Sequence, residues 1–246
     1  MKKVRFYLVM LLALLLAIAS LSGCDKANNG NTPEPCNSLF CSSWTTMIYG
    51  LGADMVICNA ETRYNFFDGD SIWQDMEYKK LFSYRDEAHS TRYYEGLIRE
   101  EEQKIFFVPA IPDHLDNIDK EFLLYDFSLT EGTTYKYISY DYSQLFINVF
   151  VKHVDYVNIN GNELKRIQFS FSPSDDYICD TWIEGIGSVQ HGFLYPFNNG
   201  MSGGIYQFLC CYQNETLVYH DDIFPDCYYD DPEVVRNILN SYYQQQ

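Results

Sequence analysis

Residues Leu145–Phe171, LFINVFVKHVDYVNINGNELKRIQFSF, decide the fold. Two runs rich in β-branched and aromatic residues, Leu145–Val157 and Leu164–Phe171, are joined through Asn160-Gly161. Both residues of an Asn-Gly pair tolerate positive φ, as a two-residue hairpin loop requires, so the stretch predicts an antiparallel hairpin.

The same pattern repeats on both sides. Trp44–Tyr49, Arg63–Phe67, Tyr78–Tyr84, Glu121–Phe127 and Thr133–Tyr140 are strand-like runs. Asp68-Gly69-Asp70 and Glu131-Gly132 read as turns. Thr91–Glu100 and Lys104–Val108 flank a charged tip, Glu101-Glu102-Gln103, and Ile205–Tyr212 with Leu217–His220 form a last hairpin around Asn214-Glu215. Two segments read as helical. Asp113–Lys120 has room for a single turn. Near the end of the sequence Asp231 caps, Pro232 suits the first helical position, and Val234, Val235, Ile238 and Leu239 share a face expected to dock on a sheet. Aromatic content of 17%, with 22 Tyr and 17 Phe, favours half-buried pleated surfaces. The expected fold is all-β: a long antiparallel meander of some ten or more strands that curls into a barrel or splits into a two-layer sandwich, with a short C-terminal helix.

Ahead of this body lies an address. Lys2, Lys3 and Arg5 precede an apolar run, Leu8–Ile18, too short to span a bilayer comfortably, and small residues follow up to Leu21-Ser22-Gly23-Cys24. This is the pattern of a bacterial lipoprotein signal. It divides the chain into a leader (1–23), a lipidated Cys24 with a flexible tether (24–43), and a single β-rich domain (44–246). The expected location is the cell envelope, with lipid holding the body on a membrane, the outer membrane first. The formal charge is −17, and removing the leader would leave fourteen basic against thirty-four acidic residues, a formal −20. Such a surface excludes nucleic acid and anionic lipid as partners, because both need a basic footprint.

Beyond Cys24 the chain has seven cysteines, and an exported protein sits where disulfides persist. Cys36, Cys41, Cys210, Cys211 and Cys227 are the candidates: Cys36 with Cys41 across a small loop, and Cys227 with Cys210 or Cys211. Adjacent strand residues face opposite sides, so Cys210 and Cys211 face apart, which leaves room for one to be buried and inert while the other pairs. Unpaired, buried thiols are the alternative. Zinc is not expected, for want of any C-x-x-C or H-x-x-x-H spacing, and no cofactor is expected.

Several segments together resemble a domain common in exported proteins of Bacteroidota. They are Gly69–Ile72, Tyr78–Phe82, Tyr94–Glu100, Lys104–Phe107, Leu123–Ser128 with Glu131-Gly132, Trp182–Ser188 with Gly192–Leu194, and Leu209–Tyr212. The resemblance runs from about Trp44 to His220. Relatives carry the domain ahead of a type IX secretion sorting domain. No sorting pattern is read after the last hairpin, so lipid at Cys24 is expected to take its place as the attachment. The resemblance implies a family but brings no activity and no catalytic residues. Asp25-Lys26-Ala27 departs from the acidic run of surface-displayed lipoproteins. Asp70-Ser71-Ile72 resembles the short O-glycosylation motif of that phylum, which makes Ser71 a candidate for modification.

Candidate chemistry is sparse. In Trp182-Ile-Glu184-Gly-Ile-Gly187-Ser188 the order is not that of a nucleophile elbow, and Glu184 has no partner carboxylate in sequence. Asp75 with Glu77, Asp175 with Asp176, and Asp221 with Asp222 are the pairs a glycosidase would use if the fold set them across a cleft. Cys179 and His191 would make a thiol nucleophile only if brought together. The sequence therefore points first to a lipid-anchored, non-enzymatic domain binding a glycan, peptide or envelope protein. Its alternatives are a hydrolase acting on glycans or peptides and a structural subunit of an envelope assembly. An enzyme should show converging carboxylates, a binding module exposed aromatics, and a subunit an apolar patch.

Overall fold

The computed structural model describes residues 41–54, 56–110, 120–139, 146–197 and 204–245. The leader, Cys24, the tether up to residue 40 with Cys36, and all but the last residue of the expected helical turn at 113–120 lie outside them. Thirteen strands are described: β1 (Ser43–Leu51), β2 (Ile57–Trp73), β3 (Met76–Tyr84), β4 (Arg92–Glu101), β5 (Lys104–Pro109), β6 (Phe122–Asp126), β7 (Thr134–Ile138), β8 (Phe146–Ile159), β9 (Asn162–Ser170), β10 (Asp180–Ile183), β11 (Gly187–Ser188), β12 (Ile205–Gln213) and β13 (Thr216–His220). One helix, α1 (Pro232–Gln244), follows. The fold is all-β, as the strand patterns predict.

The strands form two curled antiparallel sheets. The larger has the order β13-β12-β1-β2-β3-β4-β5-β6, the smaller β11-β10-β9-β8-β7. Each is mostly a meander; only the placing of β1 between β12 and β2 ties distant parts of the chain together. Between the sheets lies an aromatic core around Trp182. Its ring meets Phe169 at 4.5 Å, Tyr125 edge-on at 4.8 Å and Phe197 at 5.1 Å. Such pairs add about 0.5–1.5 kcal/mol each beyond burial.

The outer face of the larger sheet has a second cluster: Met47, Tyr49, Leu209 and Cys210 pack against Phe224, Tyr229 and Val235. Helix α1 covers this cluster. Asp231 accepts from Glu233 N at its start, and Pro232 opens the first turn. Val235, Ile238 and Leu239 form its packed stripe. Val234, expected on the same face, is instead exposed, because it lies about 100° around the helix from Val235.

Four hairpins close through two residues at positive φ: Gln74-Asp75, Glu102-Gln103, Asn160-Gly161 and Asn214-Glu215. Asp68-Gly69-Asp70 does not reverse the chain. It is a β-bulge between Phe67 and Asp70 with Gly69 at φ 77°, and β2 runs on to Trp73 before turning. Ser71 lies in this continuation, paired with Tyr78 and partly exposed.

Of the two disulfides described, Cys210–Cys227 is one of the pairings expected from sequence and Cys41–Cys211 is not. Cys41 bonds to Cys211 and Cys210 to Cys227. Cys41 therefore does not close a small loop with Cys36. It sits 2% exposed against the core, with its N–H donating to Gly185 O, and the next residue, Ser42, donates to Tyr212 O. Residues 41–43, read from sequence as tether, thus belong to the body. Cys210 and Cys211 do face opposite sides, yet neither is inert, because a partner waits on each face. Cys211 joins the inter-sheet core and Cys210 the outer cluster.

Candidate functional site

The acids singled out in sequence do not converge. Asp75 occupies a hairpin turn, Glu77 and Asp176 are exposed, and Asp175 is partly buried. Asp221 is buried and accepts from Ile223 N and Phe224 N at 2.8 and 3.0 Å and from the Gln207 amide at 3.0 Å, so it shapes the chain after β13. Glu184 is half-buried in the turn after β10, where burial raises its carboxyl above the usual range. Lys165 is the cation felt there, but its ammonium donates to Phe127 O and Leu129 O.

The buried acid of this region is Asp180, which the sequence reading passed over. Oδ1 accepts from Thr181 N (2.8 Å) and Ser188 Oγ (2.7 Å); Oδ2 accepts from Trp182 Nε1 (3.0 Å) and Phe197 N (2.9 Å). Ser188 Oγ in turn accepts from His191 N, and Tyr125 Oη accepts from Ser188 N while donating to Phe193 O. Complete burial raises the Asp180 carboxyl. The signal was present: residues 180 and 182 alternate to the same side of a strand, which brings carboxylate and indole N–H together. Asp180, Ser188 and His191 are neighbours, but the His191 ring reaches Cys179 O at 3.1 Å rather than the serine. The Cys179 thiol, pushed up to about 12 chiefly by burial and then by Asp180, stays protonated at neutral pH. Gly187, at φ 90°, lets the chain pass this network: a Cβ there would lie 2.8 Å from both Phe193 and the Tyr125 hydroxyl. The network binds β10 and β11 to the core.

Aromatic residues line the outer face of β2 and β3, but their ring faces are occupied by one another. Phe66 stacks on Tyr84 at 5.0 Å, His89 lies parallel to Tyr84 at 4.5 Å and also meets Tyr64, and the Arg92 guanidinium covers Phe82 at 3.5 Å. Asp68 holds Arg92 in place at 2.6 Å. The strip is a self-capped ladder that shields the sheet, and only Tyr93 and Tyr94 beside it are exposed.

A concave site does exist where the sheets meet. A groove of about 440 Å³ separates β13, the edge of the larger sheet, from the β8–β9 hairpin and β10 of the smaller. Its volume falls in the range of about 300–1,000 Å³ common to ligand sites. Val157, Ile159, Ile183 and Val189 supply apolar surface on one side, and Val218, Tyr219 and His220 form the other. Polar groups enter at Arg166, Thr181 and Asp222. Arg166 is clamped across the strands by Asp155 through two hydrogen bonds of 2.8 and 2.5 Å. Asp222 is exposed, and no described cation pairs with it. Of these residues only Asp222 stood out in sequence, because a seam between sheets joins β13 and Asp222 to positions some 29 to 65 residues away. A second groove of about 340 Å³ lies between β6 and β7, lined by Glu121, Leu123, Tyr135 and Ile138 among others.

Cys210, His220 and Cys227 also gather within 4.8 Å of one another, a set that sequence spacing did not reveal. The two sulfurs are bonded to each other, which leaves His220 as the one ready donor of the three.

Comparison with protein-family models, with curated proteins and with solved structures returns no match.

Proposed function

We propose that this chain is an exported protein held on a cell-envelope membrane by lipid at Cys24, and that its β-body is a non-catalytic binding domain whose site is the groove along β13. One observation carries the binding part: the groove combines apolar walls with a few separate polar groups, while the acids with raised carboxyls are committed elsewhere. Asp180 and Asp221 are bonded into the frame, Glu184 is not part of the groove lining, and Asp222 is the one carboxylate in that lining. Leu21-Ser22-Gly23-Cys24 supports the anchor.

Two measurements test this. Feeding cells an alkyne-bearing fatty acid should label the wild-type chain and not Cys24→Ser. For the groove, binding to a panel of oligosaccharides and peptides should be compared between the full chain and Ile159→Arg, whose long side chain fills the partly exposed mouth. Loss of binding with unchanged thermal stability is the expected result. Turnover of a glycan or peptide substrate would favour the hydrolase alternative.

A further inference from the structure

We propose that the groove takes an extended polypeptide segment of another protein, which pairs with β13 as an added strand. This rests on the groove being the binding site and names what enters it.

The first argument is the open backbone. β13 pairs only with β12, and no described strand lies on its other side. Asp221 N donates to Leu209 O beside the Cys210–His220 pair, so that pair is the non-hydrogen-bonded kind. The N–H and C=O of His220 therefore point away from β12, towards the groove His220 lines. Natural sheets commonly blunt such edges with Lys, Pro or a bulge. The edge Thr216-Leu-Val-Tyr-His220 has no Lys and no Pro; its one bulge is at Val218, and Tyr219 and His220 beyond it are in regular pairing with β12.

The second argument is side-chain chemistry. A strand alternates its side chains, so a peptide lying along β13 would place every second residue towards Val157, Ile159 and Ile183. The third is charge. Arg166 is neutralised by Asp155, and Asp222 has no described counter-ion, so the groove favours a basic side chain near its end. The body as a whole is strongly acidic, which disfavours a second copy of this chain as occupant. A glycan would want exposed ring faces, and the one phenol ring in the groove, Tyr219, is packed at a tilt against Phe208 at 5.7 Å, 55° between planes.

The test is a selection of random peptides of about ten residues, the length that overspans a five-residue edge, on the immobilised full chain. Ile159→Arg serves as the counter-selection. Enriched sequences should alternate apolar residues and carry Lys or Arg. Synthetic versions methylated on alternate amides should bind at least tenfold more weakly in the register that meets His220, and normally in the other. Asp222→Lys, a change at an exposed position, should weaken basic peptides about fivefold and leave the fold intact by circular dichroism. Equal binding in both methylation registers, or no enrichment over the blocked variant, overturns the proposal. Oligosaccharides that bind wild type but not Ile159→Arg, with no peptide doing so, would overturn it while leaving the groove as the site. If nothing binds in an Ile159-dependent way, both readings fall.

Discussion

At Asp180 a buried carboxyl meets four donors, and the arrangement holds because each oxygen accepts two hydrogen bonds. Replacing one oxygen with an amide sets N–H against N–H. Asp180→Asn should therefore destabilise by about 2 kcal/mol, and Asp180→Ala, which strands buried donors, by about 3 kcal/mol or more. Urea unfolding followed by tryptophan fluorescence measures both, with Trp182 as the local reporter. The two free cysteines among the described residues make a second prediction. Cys58 is exposed and Cys179 buried with its thiol raised. At mildly alkaline pH iodoacetamide should modify Cys58 quickly and Cys179 only after unfolding, a difference read by mass spectrometry. Sequence inspection drew attention to Glu184 because it stood beside two glycines. The residue that organises the region is Asp180, since burial, which no linear pattern states, decides which acid matters.

Among the elements, the hairpins divide by how their turns were written. Asn160-Gly161 was legible because both residues accept positive φ cheaply. Gln74-Asp75 and Glu102-Gln103 adopt the same geometry against preference, held by the strands they join. Pairing of Trp73 with Met76 and Glu101 with Lys104 fixes a two-residue loop whatever occupies it. That is also why Asp68-Gly69-Asp70, a stronger turn signal by composition, was absorbed as a bulge: continued pairing of Ser71–Trp73 with β3 outweighed it. Replacing Glu102-Gln103 with Asn-Gly should relieve this strain and raise stability by about 1 kcal/mol, measured as a shift in denaturation midpoint. The seam groove was illegible for a related reason. Strand patterns specify which face is inward, but not where two sheet edges come to lie.

For the whole molecule, acidity sets the response to pH. Burial raises the carboxyls of Asp180, Glu184 and Asp221, so the stability they contribute is complete below their unfolded range and is lost as pH rises through their folded values. Asp155, bonded to Arg166, is shifted the other way; its contribution is present above its unfolded value and lost as pH falls through the lowered one. A surface with a formal charge of −17 adds self-repulsion that acid relieves. The melting temperature should consequently be higher near pH 5.5 than near pH 8, and the gap should narrow with added salt. Calorimetry across that interval checks both trends.

The neighbouring sulfurs of β12 also have a mechanical meaning. The first described residue, Cys41, is bonded to Cys211, and Cys227, beyond the last strand, to Cys210. A pull on the amino-terminal segment passes through sulfur into β12, the strand between β13 and β1, before it can peel β1 from its neighbours. The carboxy-terminal segment is moored one residue away, on the opposite face. Chemical reduction would turn a load shared between β1 and β12 into one borne by the hydrogen bonds of β1 alone.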